Sequence, residues 1–237
     1  MERLEICGKT VTLWLDGTAG EQSSPIVYLN VFDGDGGDIW QECQKLDCRP
    51  FALAAIDGLD WNRELSPWEC EGTVRDAEPF AGEAAMYLRE LTGEIVPAVE
   101  SDLGWAPSYR MLAGYSLAGL FALWAPFYTD AFDRVASVSG SLWFPGFVEF
   151  AREHEMLRAP ERAYLSLGKK ETRTPNRMMR HVLEDTEAMA SLLGELGIET
   201  AFELNPGNHF SEPARRCAKG IQWILGDGGE TAPSDPS

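Results

Sequence analysis

Basic residues are scarce in this chain: 20 Lys and Arg stand against 38 Asp and Glu, a formal net charge of -18 at pH 7. Phosphate backbones are gripped by clustered Lys and Arg, so the sequence argues against a nucleic-acid partner, and the same field should disfavour highly anionic substrates. Long apolar runs are absent as well. None approaches the roughly twenty residues that a membrane helix needs, and Met1-Glu2-Arg3-Leu4-Glu5-Ile6-Cys7 lacks the basic end and apolar stretch of a secretory leader. A soluble, cytoplasmic protein without a membrane partner is the expectation. Cysteine is sparse and odd in number: Cys7, Cys43, Cys48, Cys70 and Cys217 show neither C-x-x-C nor Cys/His ligand spacing. Reduced structural thiols fit better than zinc or disulfides, a Cys43–Cys48 bridge being the weaker alternative. No proline-rich or glycine-serine linker interrupts the interior, so residues 1–226 read as one domain and the small, polar stretch 227–237 as a disordered acidic tail.

What is present is an alternation of strand-length apolar runs with amphipathic helical stretches, the pattern of a mostly parallel α/β sheet with helices on both faces. Strands are predicted at 11–15, 26–32, 51–56, 111–113, 135–139, 164–167 and 200–204, and helices near 82–91, 117–127, 146–154, 176–196 and 213–225. Ligands in such sheets bind at the carboxyl ends of the strands, which directs attention to the loops that follow each run.

The most telling loop lies in Met111-Leu112-Ala113-Gly114-Tyr115-Ser116-Leu117-Ala118-Gly119-Leu120. It reads as a buried strand, a tight turn of small residues carrying one serine, and a buried helix, which is the pattern of a nucleophile elbow. A serine hydroxyl is a poor nucleophile; it has to stand exposed on a sharp turn where an imidazole can take its proton and backbone amides can hold the oxyanion. Ala118 replaces the second glycine of the strict G-x-S-x-G pattern. The amide of Leu117 and that of Asp35, in the glycine-rich turn Asp33-Gly34-Asp35-Gly36-Gly37-Asp38, are the expected oxyanion donors. That turn lacks the closing bidentate glutamate of a calcium loop, and neither a metal nor a cofactor is expected.

Histidine is rare, so a general base can be picked by elimination. His154 sits in a charged helical stretch and His181 mid-helix, whereas His209 falls in a turn between the last apolar strand and the final helix. The acid should lie between serine and histidine in chain order, after a late strand. Glu171, in Gly168-Lys169-Lys170-Glu171-Thr172, fits; Glu184, Asp185 or a Ser-His dyad are the alternatives.

Gly114-Tyr115-Ser116-Leu117-Ala118-Gly119-Leu120-Phe121, Ser137-Val138-Ser139-Gly140-Ser141-Leu142-Trp143, Ser166-Leu167-Gly168-Lys169-Lys170-Glu171 and Gly207-Asn208-His209-Phe210 occur in that order. Together they resemble the esterases of the α/β-hydrolase superfamily that group with esterase D and the enterochelin esterases. The resemblance covers nearly the whole chain except the tail. It implies an α/β-hydrolase fold, a Ser-His centre, and hydrolysis of a small-molecule carboxylic ester through an acyl-enzyme; the region after Gly140 is too short for a large cap domain. Acyl transfer from the same centre, or a non-catalytic binding protein on the same fold, are the alternatives. Substrate contacts are expected from Trp61, Arg63 and Trp68, in a loop similar to one in uncharacterised members of the group, and from Tyr115 and Trp143. Leu142, Trp143, Phe144 and Phe147 read equally as a pocket wall or as core. The oligomeric state is left open.

Overall fold

Residues 1–15, 24–72 and 78–226 are described by the structure, a computed structural model; the expected tail at 227–237 lies outside the described residues. In chain order the elements are β1 (Glu2–Ile6), β2 (Lys9–Leu15), β3 (Ile26–Asn30), α1 (Gly37–Lys45), β4 (Ala52–Asp57), α2 (Trp61–Glu64), β5 (Glu69–Cys70), β6 (Phe80–Ala81), α3 (Ala84–Glu90) and α4 (Val96–Leu103). They continue with β7 (Arg110–Tyr115), α5 (Leu117–Trp124), β8 (Arg134–Val138), α6 (Phe147–Glu153), β9 (Arg162–Gly168), α7 (Val182–Glu195), β10 (Glu199–Asn205) and α8 (Pro213–Leu225).

Eight strands make one sheet in the order β1-β2-β4-β3-β7-β8-β9-β10, and β5 and β6 form a separate ribbon. Only β2 runs against its sheet neighbours; from β4 to β10 every pairing is parallel. Parallel strands are covered on both faces and so read as continuous apolar runs; β3 and β8 are buried at every position. Alternate side chains serve opposite faces. Val27 and Leu29 pack with Ile39 and Cys43 of α1 and with Cys217, Ile221 and Ile224 of α8. Ile26 and Tyr28 join the other core, with Leu88 of α3, Val99 of α4, Leu120 of α5, Phe147 of α6 and Met189 of α7.

The structure adds elements with weak sequence signals. β1 is an edge strand whose only apolar residues, Leu4 and Ile6, are half-buried and pack against the core. α1 starts within the glycine-rich turn, its N-cap Gly36 left-handed at φ 74°. The helix predicted over 176–196 begins only at Val182, after a single 3-10 turn over Met179–His181. Asn176 Oδ1 accepts the backbone N–H groups of Met178 and Met179, at 2.9 and 3.4 Å, the geometry of an N-cap, so the turn that precedes α7 is capped at the predicted position.

Candidate active site

Strands β7, β8, β9 and β10 lie side by side and parallel, so the loops leaving their carboxyl ends share one edge of the sheet. Ser116 follows β7, Ser139 follows β8, Glu171 follows β9 and His209 follows β10.

Ser116 occupies the turn between β7 and α5 with φ 58° and ψ -121°, a conformation that L-residues avoid. The fold holds it there from several sides. Its N–H donates to Val138 O at 3.0 Å, and its carbonyl accepts from Gly119, Leu120 and Ser141 at 3.0, 3.1 and 2.9 Å. Closure of the turn depends on Gly114, where a Cβ would come within 2.4 Å of the Ala118 carbonyl carbon and oxygen. Gly119 is nearly as constrained, because a Cβ there would meet Gly114 O and Ser137 Oγ at 3.0 Å. The close packing expected of the second motif glycine thus falls to Gly119, and Ala118 fits.

Ser116 Oγ lies 3.1 Å from His209 Nε2, and His209 Nδ1 lies 2.8 Å from Glu171 Oε2. Burial pushes the Glu171 carboxyl up. Hydrogen bonding and charge attraction from His209, the Gly168 amide and a hydrogen bond from Ser139 outweigh it and hold the group below its usual 4.5. An ionised Glu171 requires Nδ1–H to donate, which leaves Nε2 as the acceptor facing the serine hydroxyl. The alternatives lie elsewhere: Glu184 pairs with His181 at 3.0 Å, and Asp185 lines a separate cleft with Glu149 and His181.

Arg216 was not foreseen. Its side chain is 2% exposed; Nη1 donates to Glu171 Oε1 at 3.1 Å and Ser139 Oγ at 3.0 Å, while Nη2 donates to Pro206 O at 2.6 Å. The only sequence signal was its position four residues before buried Gly220 and eight before Ile224, on the apolar stripe of α8. Tyr115 OH, also within reach of Nη1 at 3.3 Å, donates to the carbonyl of His209 at 2.5 Å. Backbone bonds join the two loops, Lys169 N–H to Asn205 O and Lys170 N–H to Gly207 O, each at 2.9 Å. The Asn208 and Ser211 side chains close the turn that presents His209.

A cavity of about 320 Å³ opens beside Ser116, Glu171 and His209, walled by Trp143, Met179, Val182 and Phe210 and by the loop bearing Lys170 and Arg173. Of the five expected recognition residues, Trp143 is the one that lines it. Arg63 is paired with Glu83 at 2.7 Å. Trp68 donates to Pro145 O at 3.0 Å and packs on Phe144 and Phe150, and Trp61 meets Phe32 edge to face. Tyr115 packs its ring against that of His209, the centroids 5.3 Å apart. Leu142, Phe144 and Phe147 are core residues, at most 1% exposed. Leu117 opens α5, where the first amides of a helix have no acceptor within it. The turn holding Asp35 is pinned by Trp14 Nε1–H donating to Asp35 O at 2.7 Å and by Gly37 N–H donating to Asp35 Oδ1 at 2.9 Å. No helix is long and apolar enough to cross a membrane among the described residues.

The fold recurs in solved structures. An IroE-like serine hydrolase from Shewanella oneidensis superposes with a TM-score of 0.74 at 18% identity, over 94% of this chain and 79% of its own. A siderophore hydrolase, EstA of Aspergillus nidulans, gives 0.72 at 20% identity, over 94% and 93%. The uncharacterized protein YbbA of Bacillus subtilis is 24% identical over 233 residues, 91% of this chain and 92% of its own. The architecture is therefore the α/β-hydrolase fold, and the described residues include no large cap domain. A model of the family described as "Putative esterase" matches residues 12–197, most of the sequence, and the chain belongs to this family of carboxylic ester hydrolases.

Proposed function

We propose that this esterase works through a covalent acyl-serine, with Ser116 as nucleophile, His209 as general base and then general acid, and Glu171 as the group that orients the imidazole. Ser116 Oγ attacks the ester carbonyl as Nε2 takes its proton, giving a tetrahedral oxyanion. Collapse expels the alcohol, which leaves with that proton. A water molecule, deprotonated in turn by His209, attacks the acyl-serine and releases the acid. The amides of Leu117 and Asp35 hold the oxyanion in both halves. Glu171 stabilises the imidazolium without accepting its proton.

The observation that carries this reading is the hydrogen-bonded line Ser116 Oγ, His209, Glu171, with separations of 3.1 and 2.8 Å. Trp143 serves as a wall for the substrate. Trp61, Arg63 and Trp68 are left out of the recognition surface because their polar groups or rings are engaged within the fold. A cytoplasmic location belongs to the same proposal, supported by five cysteines that are all free thiols.

Intact-mass measurement after treatment with a fluorophosphonate tests the mechanism. One adduct is expected on the wild type and none on Ser116→Ala, and hydrolysis of a short p-nitrophenyl ester should vanish in both Ser116→Ala and His209→Ala. No adduct, or one that persists in the alanine variant, refutes it. Release of free acid in the presence of added alcohols or amines separates hydrolysis from acyl transfer.

A further inference from the structure

Net charge conceals a local reversal at the mouth of the site. Residues 169–181 hold Lys169, Lys170, Arg173, Arg177 and Arg180, a quarter of the 20 basic residues in the chain, with Glu171 as the only acid. Glu171 does not neutralise its neighbours, since its oxygens are engaged by His209, Gly168 N–H and Arg216. Lys170 and Arg173 line the cavity together with Glu171, and both residues are exposed. Among the described residues neither has an ion-pair partner within 4.0 Å, although acidic residues outnumber basic ones almost two to one.

The loop that carries them is braced. Lys170 N–H donates to Gly207 O, Arg173 N–H to Lys170 O, and Arg180 Nε–H to Thr174 O at 3.1 Å. The same cavity is lined by apolar side chains, Trp143, Met179, Val182 and Phe210, the last 85% exposed. Two cations and a group of apolar side chains around one cavity match a substrate with an apolar body and a terminal anion. We infer that this cavity selects esters bearing an anionic group, held by Lys170 and Arg173, an inference that rests on the Ser116 reading above. The long-range field of the chain still opposes polyanions, but it is screened beyond roughly 8–10 Å in ordinary buffer, whereas a charge-assisted contact at hydrogen-bond distance is screened less.

The test compares 4-nitrophenyl hexanoate with the 4-nitrophenyl monoester of adipic acid, which has the same acyl length and a terminal carboxylate. Wild-type kcat/KM is expected to favour the adipate ester by about tenfold, the equivalent of one good charge-assisted contact. The ratio should fall to one or below in Lys170→Gln/Arg173→Gln and be kept in the charge-conserving Lys170→Arg/Arg173→Lys. A wild-type ratio at or below one overturns the inference whether or not the variants fold, while hexanoate turnover leaves the Ser116 mechanism intact. A preference that survives the double glutamine exchange also overturns it. Failure of the wild type to cleave either ester, together with no fluorophosphonate adduct, overturns both.

Discussion

Exchanging Glu171 for Gln replaces one oxygen by an NH2 group where both oxygens act as acceptors. Oε2 accepts from His209 Nδ1 at 2.8 Å, and Oε1 accepts from Gly168 N–H at 2.6 Å and Arg216 Nη1 at 3.1 Å. Either orientation of the amide fails. Facing His209, the NH2 forces Nδ1 to accept and puts the ring proton on Nε2, where it cannot take the serine proton. Facing Gly168 and Arg216, it sets donor against donor. The wrong tautomer costs about 10^3 to 10^4 in kcat/KM, or about 4–5.5 kcal/mol of transition-state stabilisation. Stability falls too, because Arg216, 2% exposed, loses its counter-charge. We expect about 3 kcal/mol, the low end for a broken buried pair, since Pro206 O and Ser139 Oγ still accept from it. In a chain of this size that is a Tm lower by roughly 6–12 °C. The sign with pH follows from the lowered carboxyl: its contribution is present above the usual 4.5 and lost as pH falls through its depressed value. The stability gap between wild type and variant should therefore narrow in acid. Initial rates on a p-nitrophenyl ester and thermal unfolding at pH 7.5 and pH 4, at roughly those values, check each part. A folded Glu171→Gln variant within tenfold of wild-type activity would refute the reasoning.

Gly114→Val should abolish soluble expression or lower stability by more than about 3 kcal/mol, because its Cβ would meet the Ala118 carbonyl at 2.4 Å; a normally folded variant would show that the turn can open. Burial pushes the Asp185 carboxyl up from 3.8 to about 6, Glu149 and Glu184 adding to the rise and His181 opposing it. A raised carboxyl binds its proton more tightly in the folded state, so stability is lost as pH rises from 3.8 to about 6. Asp185→Asn should then stabilise the protein by about 1 kcal/mol at neutral pH, discounted for solvent exposure, and by little at pH 4. Urea unfolding at the two pH values checks this, and an equal effect at both would contradict it.

Much of the architecture could be read along the chain because parallel strands buried on both faces leave unbroken apolar runs, as in residues 26–29 and 52–56. β1 and α1 were missed for the converse reason: one is an edge with two apolar residues, the other opens on Gly36 and Gly37. Local pattern, scarcity and chain order pointed to Ser116, His209 and Glu171, which the structure brings within hydrogen-bond distance of one another. Arg216 could not, because its partners Glu171 and Ser139 are 45 and 77 residues away. Distance along the chain likewise hid the partners of Arg63 and Trp68, Glu83 and the carbonyl of Pro145. The net charge of -18 averaged away the cationic stretch at 169–181.

The two backbone bonds that tie Lys169 to Asn205 and Lys170 to Gly207 make the segments carrying Glu171 and His209 a single cassette. Imidazole and carboxylate would therefore swing away from the serine together, and a loosened molecule should switch off in one step instead of passing through a half-active form. Anyone grafting the segment after β9 onto a related scaffold would have to move the one after β10 with it.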